Sequence, residues 1–271
     1  MIVHWHRRDL RPNDNRGLAR AAGDGPVVPL FVLDPTILEY ASPIRVACLL
    51  EALDDLRAWY RERGSNLLVV RGEASAVVPE VAAEYDATRV VWNEDYSGLA
   101  AERDRAVRAA LEDDGVACES VHDAIHHEPG SITPNQGAHY SVFSYFWKKW
   151  RDREKRDPAD EPDTDDLADV SDDPIPSLAD LGFDEPAATP PTVTTAAARE
   201  RVAAFCAGPI YDYAAQRDYP AESGTSRLSP HLKWGTIGPR ELYAATERAA
   251  ERAPTDDDRE SVRAFQRQLA W

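Results

Sequence analysis

The sequence predicts an α/β fold, in which an N-terminal domain with a doubly wound, mostly parallel sheet is followed by the first part of an all-α domain. Two observations carry this prediction. Over residues 1–130, short runs rich in Val, Ile and Leu alternate with segments whose apolar residues recur at helical spacing. Over residues 196–271 the helical spacing continues without a strand-like run. Residues 131–195 are predicted to connect the two domains.

Five strands and three intervening helices are predicted in the N-terminal domain. This alternation favours a parallel sheet that binds ligands near the carboxyl ends of its strands. No glycine-rich phosphate fingerprint follows the first strand, so a standard dinucleotide-binding fold is not predicted. The strands are predicted over 2–6, 27–34, 66–72, 89–96 and 116–122, and the helices over 45–64, 75–86 and 99–115.

The composition of the chain changes after residue 152, where Asp, Pro and Thr dominate and apolar residues are few. We therefore expect the connector, 131–195, to lie on the surface and to be partly mobile. Near the end, Val262, Phe265 and Leu269 share one helical face, and the pattern reaches Trp271 without a stop signal. The helical domain is therefore expected to be truncated.

The charge pattern is typical of proteins from a high-salt cytoplasm. The formal net charge is −17, only four lysines occur, and the acidic bias extends over the whole chain. An ordinary acidic protein with a disordered acidic segment is the alternative. The three cysteines are scattered without metal-ligand spacing, and neither a membrane-length apolar run nor a secretory signal is present. We expect a cytoplasmic monomer that does not associate with membranes.

The stretch 224–235, GTSRLSPHLKWG, is dense in hydroxyl groups. Ser229 followed by Pro230 predicts a helix start, with the serine as the cap, and Gly235 predicts its end. Hydroxyls and free backbone N–H groups at a helix start can bind an anion such as phosphate. A simple capped helix without a ligand is the alternative.

Together with YDYAAQRDYP at 211–220, this stretch resembles the flavin-binding region of the DNA photolyase/cryptochrome family. The N-terminal VHWHRRDLRPNDNRGLARA and the closing RQLAW also resemble family segments, so the resemblance spans nearly the whole chain. It implies an antenna-type α/β domain followed by an incomplete FAD-binding domain. It also implies that this polypeptide alone binds FAD poorly.

The resemblance implies site residues one by one. FAD contacts are implied for Tyr213, Thr225, Ser226, Arg227, Leu228 and Ser229, with the hydroxyls near the pyrophosphate. Arg217 would contact the DNA backbone, and the lesion-contact candidates are Gln268 and Trp271, the tryptophan packing against a flipped-out pyrimidine. A local ion pair of Arg217 with Asp218 and an ordinary core role for Trp271 are the alternatives.

The function implied is that of a light-dependent deoxyribodipyrimidine photo-lyase, which splits UV-induced pyrimidine dimers in DNA with reduced FAD. A cryptochrome-type photosensor and an inactive fragment of either remain alternatives. Gln268 stands where many cyclobutane-dimer enzymes have Glu, so the lesion type stays open. Leu99-Ala100 stand in place of an Asn-Glu pair, which disfavours a folate antenna and leaves a deazaflavin, or no antenna.

Two further motifs are interpreted as structural. Arg7, Arg8, Asp9 and Arg11 could form a basic patch for nucleic acid, but we expect a scaffold in which the aspartate pairs with an arginine. His6 stands where the family usually has an aromatic residue, and by itself it predicts no metal site. The aromatic residues of 140–150, beside Lys148 and Lys149, are expected to pack the domain junction rather than to bind single-stranded DNA.

Overall fold

The N-terminal domain is built on a five-stranded, wholly parallel sheet. The computed structural model describes residues 1–135, 139–171, 173–219 and 221–270. The strand order is β3-β2-β1-β4-β5, so the direction of winding reverses between β1 and β4. All five predicted strands are confirmed. They are β1 (Ile2–His6), β2 (Val27–Leu33), β3 (Leu68–Arg71), β4 (Arg89–Asn93) and β5 (Ala117–Val121).

Helices cover both faces of this sheet, as the doubly wound prediction requires. The helices of the N-terminal domain are α1 (Arg16–Ala22), α2 (Pro35–Leu38), α3 (Pro43–Arg61), α4 (Ala74–Glu84) and α5 (Gly98–Asp113). Leu18 of α1 and Leu53 of α3 pack on one face, while Val78 of α4 and Val107 of α5 pack on the other. The strands β1 and β2 are buried along their whole length, which explains their continuous apolar sequences.

The expectation of a surface connector is wrong for its apolar residues, which anchor it to the N-terminal domain. Val193 is fully buried and Leu181 nearly so, both in the core that includes α3. The backbone N–H of Ala168 donates to the carbonyl of Val27 at the start of β2, at 2.9 Å. A few well-placed apolar residues therefore hold the segment, although its composition is mostly acidic.

The remaining helices follow the connector, apart from α6, which lies within it. They are α6 (Phe143–Asp152), α7 (Thr195–Ala207), α8 (Pro209–Gln216), α9 (Ser229–Trp234), α10 (Pro239–Arg252) and α11 (Asp256–Leu269). Val262 and Phe265 are buried and Leu269 packs at their margin, which confirms the predicted apolar face of α11. The hydroxyl of Ser261 donates to the carbonyl of Ile210 at 2.9 Å and fixes α11 against α8. Among the described residues, no helix has both the length and the apolar character needed to cross a bilayer.

Candidate functional site

A buried network of charges joins the loop after β1 to the start of α10. The Asp14 carboxylate accepts hydrogen bonds from the backbone N–H groups of Arg240 and Glu241, at 3.0 and 3.1 Å, and pairs with the Arg240 guanidinium. Asp123 pairs with Arg240 and, at 2.6 Å, with Arg11. Asp14 thus acts as an acidic cap at the positive end of α10. The loop is a scaffold that positions the helical domain.

The expected pairing of Asp9 with an arginine is wrong. Asp9 instead accepts a hydrogen bond from the backbone N–H of Arg7, at 2.6 Å, and others from the side-chain amides of Asn15 and Asn93. The Arg7 guanidinium pairs with Asp104 of α5. The amides of Asn15 and Asn93 satisfy the buried carboxylate without a second charge, which leaves Arg7 to bridge to α5.

The same loop supports the end of the hydroxyl-rich stretch, residues 224–235. The backbone N–H of Leu10 donates to the carbonyl of Trp234 at 3.0 Å, and Arg11 Nη1 donates to the carbonyl of Gly235 at 3.1 Å. Gly235 has φ 72°, and a Cβ at this position would lie 2.1 Å from the carbonyl oxygen of Arg8. The close approach between α9 and the N-terminal loop therefore requires glycine.

Helix α9 begins at Ser229 and ends at Gly235 as predicted, but the predicted cap is wrong. The residue that precedes the first helical residue is Leu228, and no side chain caps this end. Leu228 is 1% exposed and belongs to the core of the helical domain. Its burial fixes where the helix starts, so the Ser229 side chain lies one position further along and faces solvent.

The hydroxyls of the stretch border an open pocket of 410 Å³ against α7. Thr225 and Ser226 line it opposite Arg201, and Arg227 completes its rim. Arg227 is exposed and adopts a left-handed backbone, φ 50°, which is costly for a residue with a Cβ. Among the described residues, the side chains of Thr225, Ser226 and Ser229 have no hydrogen-bond partner. The pocket therefore offers the free hydroxyls of Thr225 and Ser226 and two guanidinium groups, together with the carboxylate of Glu200.

Tyr213 and Arg217, which the resemblance assigns to FAD and to DNA, lie in different surroundings. The Tyr213 ring is buried, 5.2 Å from that of Phe265, and burial raises the pKa of its hydroxyl. Arg217 is half-buried and lies 3.7 Å from the Asp218 carboxylate, the ion pair that was the alternative interpretation. Tyr213 thus supports the site from the core, while Arg217 remains at the surface.

Gln268 is exposed on α11 and borders a cavity of 480 Å³ between the N-terminal loop and the helical domain. Leu232 and Gly235 of the hydroxyl-rich stretch line the same cavity. Gln268 and the free hydroxyls therefore lie on different sides of the stretch. Trp271, the other lesion-contact candidate, lies outside the described residues.

A cavity of 300 Å³ at the carboxyl ends of β1 and β2 was not assigned from the sequence. It has apolar walls from Leu33, Ile37 and Trp234, and charged groups from Asp34 and Arg103. Burial lowers the pKa of Arg103 to about 10, with Arg7 adding to the effect. Leu99 and Ala100, the positions that disfavour a folate, also line it. The rule that ligands bind outside the carboxyl ends of parallel strands could have located this cavity.

The aromatic residues of α6 only partly form the predicted junction. Trp150 is buried, stacks on Trp147 at 5.3 Å, and packs edge-on against Tyr243 of α10. Tyr145 is 65% exposed, so the expectation that these aromatic residues pack the junction is wrong for Tyr145. Only one side of α6 faces α10, which leaves the aromatic residues on its other side exposed.

A doubly wound α/β domain followed by a helical domain is also the fold of solved photolyase and cryptochrome structures. The DNA photolyase family matches residues 2–163. The deoxyribodipyrimidine photo-lyase of Halobacterium salinarum is 53% identical over the whole chain, which covers 60% of that protein. An uncharacterized 31.6 kDa protein of Synechococcus (strain PCC 6716) is 41% identical over 99% of this chain and 97% of its own length. The chain belongs to the DNA photolyase family.

Solved structures show the same relation. A class III photolyase from Agrobacterium tumefaciens superposes with a TM-score of 0.84 at 27% identity, over the whole chain and 57% of its own. The Sulfolobus tokodaii photolyase, whose crystal structure contains two FAD molecules, has a TM-score of 0.77 at 27% identity, with the same coverage. The chain thus spans about 60% of the length of the photolyases that it matches.

Proposed function

We propose that this chain serves in light-dependent DNA repair, as part or all of a deoxyribodipyrimidine photo-lyase that splits UV-induced pyrimidine dimers with reduced FAD. The observation that carries the proposal is the 53% identity to the Halobacterium salinarum photo-lyase over the whole chain. The same relative supports a high-salt setting for the acidic composition. Residues 1–130 would form the antenna-type domain, 131–195 the connector, and 196–271 the first part of the FAD-binding domain.

The pocket against α7 fits the phosphate part of a flavin dinucleotide. The free hydroxyls of Thr225 and Ser226 can donate to phosphate oxygens, and Arg227 and Arg201 supply positive charge in an otherwise acidic chain. Ser229, which is implied by the resemblance, lies outside the lining of this pocket. Tyr213 and Leu228 hold the stretch from beneath through the core of the helical domain. When bound and reduced, FAD supplies the electron that splits the dimer.

DNA would be contacted at the surface residues of α8 and α11. Arg217 can contact a backbone phosphate and so position the strand without reading its sequence. Gln268 can donate to and accept from a lesion carbonyl, but it brings neither charge nor an acidic proton. Trp271 is the proposed aromatic wall for the extruded pyrimidine.

The 300 Å³ cavity is the proposed antenna site. Its apolar walls suit a planar ring system, and Arg103 suits an anionic group of that ligand. We infer a deazaflavin rather than a folate, because Leu99 and Ala100 offer this ligand no polar side chain. The protein is further proposed to be a cytoplasmic monomer.

Flavin binding and repair test the proposal together. The chain is titrated with FAD in high salt, and a T225A/S226A variant is compared with S223A, which alters a hydroxyl of the same pocket outside the implied set. We expect weak flavin binding that the double variant weakens by about tenfold or more, at about 1 kcal/mol for each hydrogen bond lost, while S223A leaves it unchanged. Equal binding by all three proteins would contradict the assignment of the pocket.

A cryptochrome-type photosensor is the second candidate, favoured by the neutral Gln268 at the lesion-contact position. Illumination of the chain with oxidised FAD, an added thiol as electron donor and a dimer-containing oligonucleotide separates the two functions. Restored pyrimidines support repair. Flavin photoreduction with intact dimers supports the photosensor. Neither reaction, in a folded chain that binds flavin, identifies an inactive fragment.

A further inference from the structure

Two histidines of β1 and one aspartate of the following loop form a buried cluster that the proposed function does not use. His4 and His6 are two residues apart on the strand, so both rings lie on the same face of the sheet, with centroids 4.3 Å apart. Asp9 Oδ2 lies 3.5 Å from His4 Nε2 and 3.9 Å from His6 Nδ1. One ligand atom from each residue lies within 4.8 Å of the other two, and none of the three residues is more than 3% exposed.

The ring nitrogens of this cluster are incompletely satisfied. Within the described residues, neither nitrogen of His4 nor Nδ1 of His6 makes a hydrogen bond of normal length; Asp9 Oδ2 lies 3.5 Å from His4 Nε2 and 3.9 Å from His6 Nδ1, where only a weak interaction remains. The other nitrogen of His6, Nε2, lies 2.8 Å from the hydroxyl of Tyr60 on α3. Buried polar atoms are nearly always paired, so three free ring nitrogens beside a carboxylate indicate a missing ligand.

The surroundings of the cluster resemble the outer shell of a metal site. A histidine that binds a metal through one nitrogen usually hydrogen-bonds through the other, as His6 does with Tyr60. The Asp9 carboxylate accepts one hydrogen bond at Oδ1, from Arg7, and two at Oδ2, from Asn15 and Asn93, so an ion bound at Oδ2 would replace one of the two amides.

We propose that His4, His6 and Asp9 bind one divalent transition-metal ion, for which Zn²⁺ is the best match to two imidazole nitrogens and one carboxylate oxygen. With metal–ligand bonds of about 2.1 Å, the ligand atoms of a tetrahedral site lie about 3.4 Å apart. The two nitrogens lie 3.5 and 3.9 Å from Asp9 Oδ2, and all three ligand atoms lie within 4.8 Å of one another, so metal binding requires the rings and the carboxylate to move closer together. A water molecule would occupy the fourth position.

The ion would have a structural role and a route to its site. His6 borders the 300 Å³ cavity and Asp9 borders the 480 Å³ cavity, so the cluster is reached from either side of the loop. A bound ion would tie β1 to the loop that carries Asp14 and would thereby support the junction with α10. The expectation of no metal site rested on the scattered cysteines and on His6 taken by itself, without His4 and Asp9 beside it.

The test is Zn²⁺ binding by the metal-stripped chain, measured by calorimetry with millimolar Mg²⁺ present to occupy the many surface carboxylates. We expect one site per chain and a rise in Tm on binding. The H6F variant keeps an aromatic ring and should bind more than about 100-fold more weakly, and Y60F about 10–100-fold more weakly. H139A removes an exposed histidine and should bind like the unaltered chain.

Zn K-edge absorption spectroscopy on the unaltered chain tests the proposal even if H6F does not fold. Scattering from two imidazole rings per ion supports it. Zn²⁺ affinity that is unchanged in folded H6F, or a spectrum without imidazole scattering, overturns it. In either of those cases the cluster is a plain polar core, and flavin binding at the α7 pocket is unaffected.

Discussion

The close approach at Gly235 can be tested with a matched pair of substitutions, G235A and G115A. The two glycines have the same left-handed φ of 72°, but a Cβ at Gly115 meets no atom within 4 Å. At Gly235 the Cβ would lie 2.1 Å from the Arg8 carbonyl oxygen and 2.7 Å from Asp9 Cα, and both of these atoms belong to the backbone. G115A therefore measures the conformational cost alone, and G235A measures that cost plus the displacement of the loop.

The expected magnitudes follow from these contacts. A left-handed alanine costs about 1–2 kcal/mol, offset by about 0.4–1 kcal/mol from the reduced freedom of the unfolded chain. G115A should therefore destabilise by about 1 kcal/mol. G235A adds an overpacking cost of about 1–3 kcal/mol, because the loop that receives the Cβ is held by Arg11 and cannot move freely. We expect a total of about 2–4 kcal/mol.

The assay is urea unfolding of both variants in high salt, followed by circular dichroism. The midpoints give the two losses in the free energy of unfolding, provided the slopes agree with that of the unaltered chain. Equal losses for G235A and G115A would refute the reasoning, because they would mean that α9 and the N-terminal loop are not in contact. A larger loss for G235A, with weaker flavin binding, would support the scaffold role of the loop.

Three further predictions concern charge. D14N should lower the free energy of unfolding by about 3 kcal/mol in the same assay, because it leaves the buried Arg240 guanidinium without one of its charged partners. The control E260Q, at an exposed ion pair, should change it by less than about 1 kcal/mol. Similar losses for both variants would argue against the network. Burial, followed by Arg240 and Lys155, lowers the pKa of His126 to about 3, so only the unfolded chain takes up this proton below pH 6.5. Stability is therefore lost as pH falls from 6.5 towards 3, and H126F should reduce that loss by up to about 1.4 kcal/mol per pH unit. H139A serves as the control variant. An unchanged pH profile of stability in H126F would contradict the prediction. Finally, Tm should rise as KCl is raised to molar concentration, because salt screens the repulsion within a chain of net charge −17, and a constant or falling Tm would contradict this.

The sequence predicts the sheet well because burial on both faces leaves little choice of residue along β1 and β2. It predicts the connector poorly, because anchoring there depends on isolated residues such as Val193 and Leu181 rather than on a repeating pattern. Periodicity detects elements that bury a face, and a segment held at single points has no period. The same reason explains why α1 and α2, which are short, were not predicted.

The candidate site shows where local sequence rules stop. Ser229-Pro230 correctly locates α9, but the side chain that decides where the helix begins is Leu228, through its burial in a core built from distant helices. Likewise, strand alternation assigns His4 and His6 to one face of β1. The sequence pattern does not indicate that the Asp9 carboxylate lies close to both rings. The helix start depends on contacts between distant parts of the chain, whereas the histidine cluster depends on the conformation of the short loop between His6 and Asp9. A motif therefore identifies residues whose chemistry suits a binding site. The tertiary contacts decide which atoms of those residues remain free to bind a ligand. In this chain those atoms are the hydroxyls of Thr225 and Ser226 and the ring nitrogens of β1.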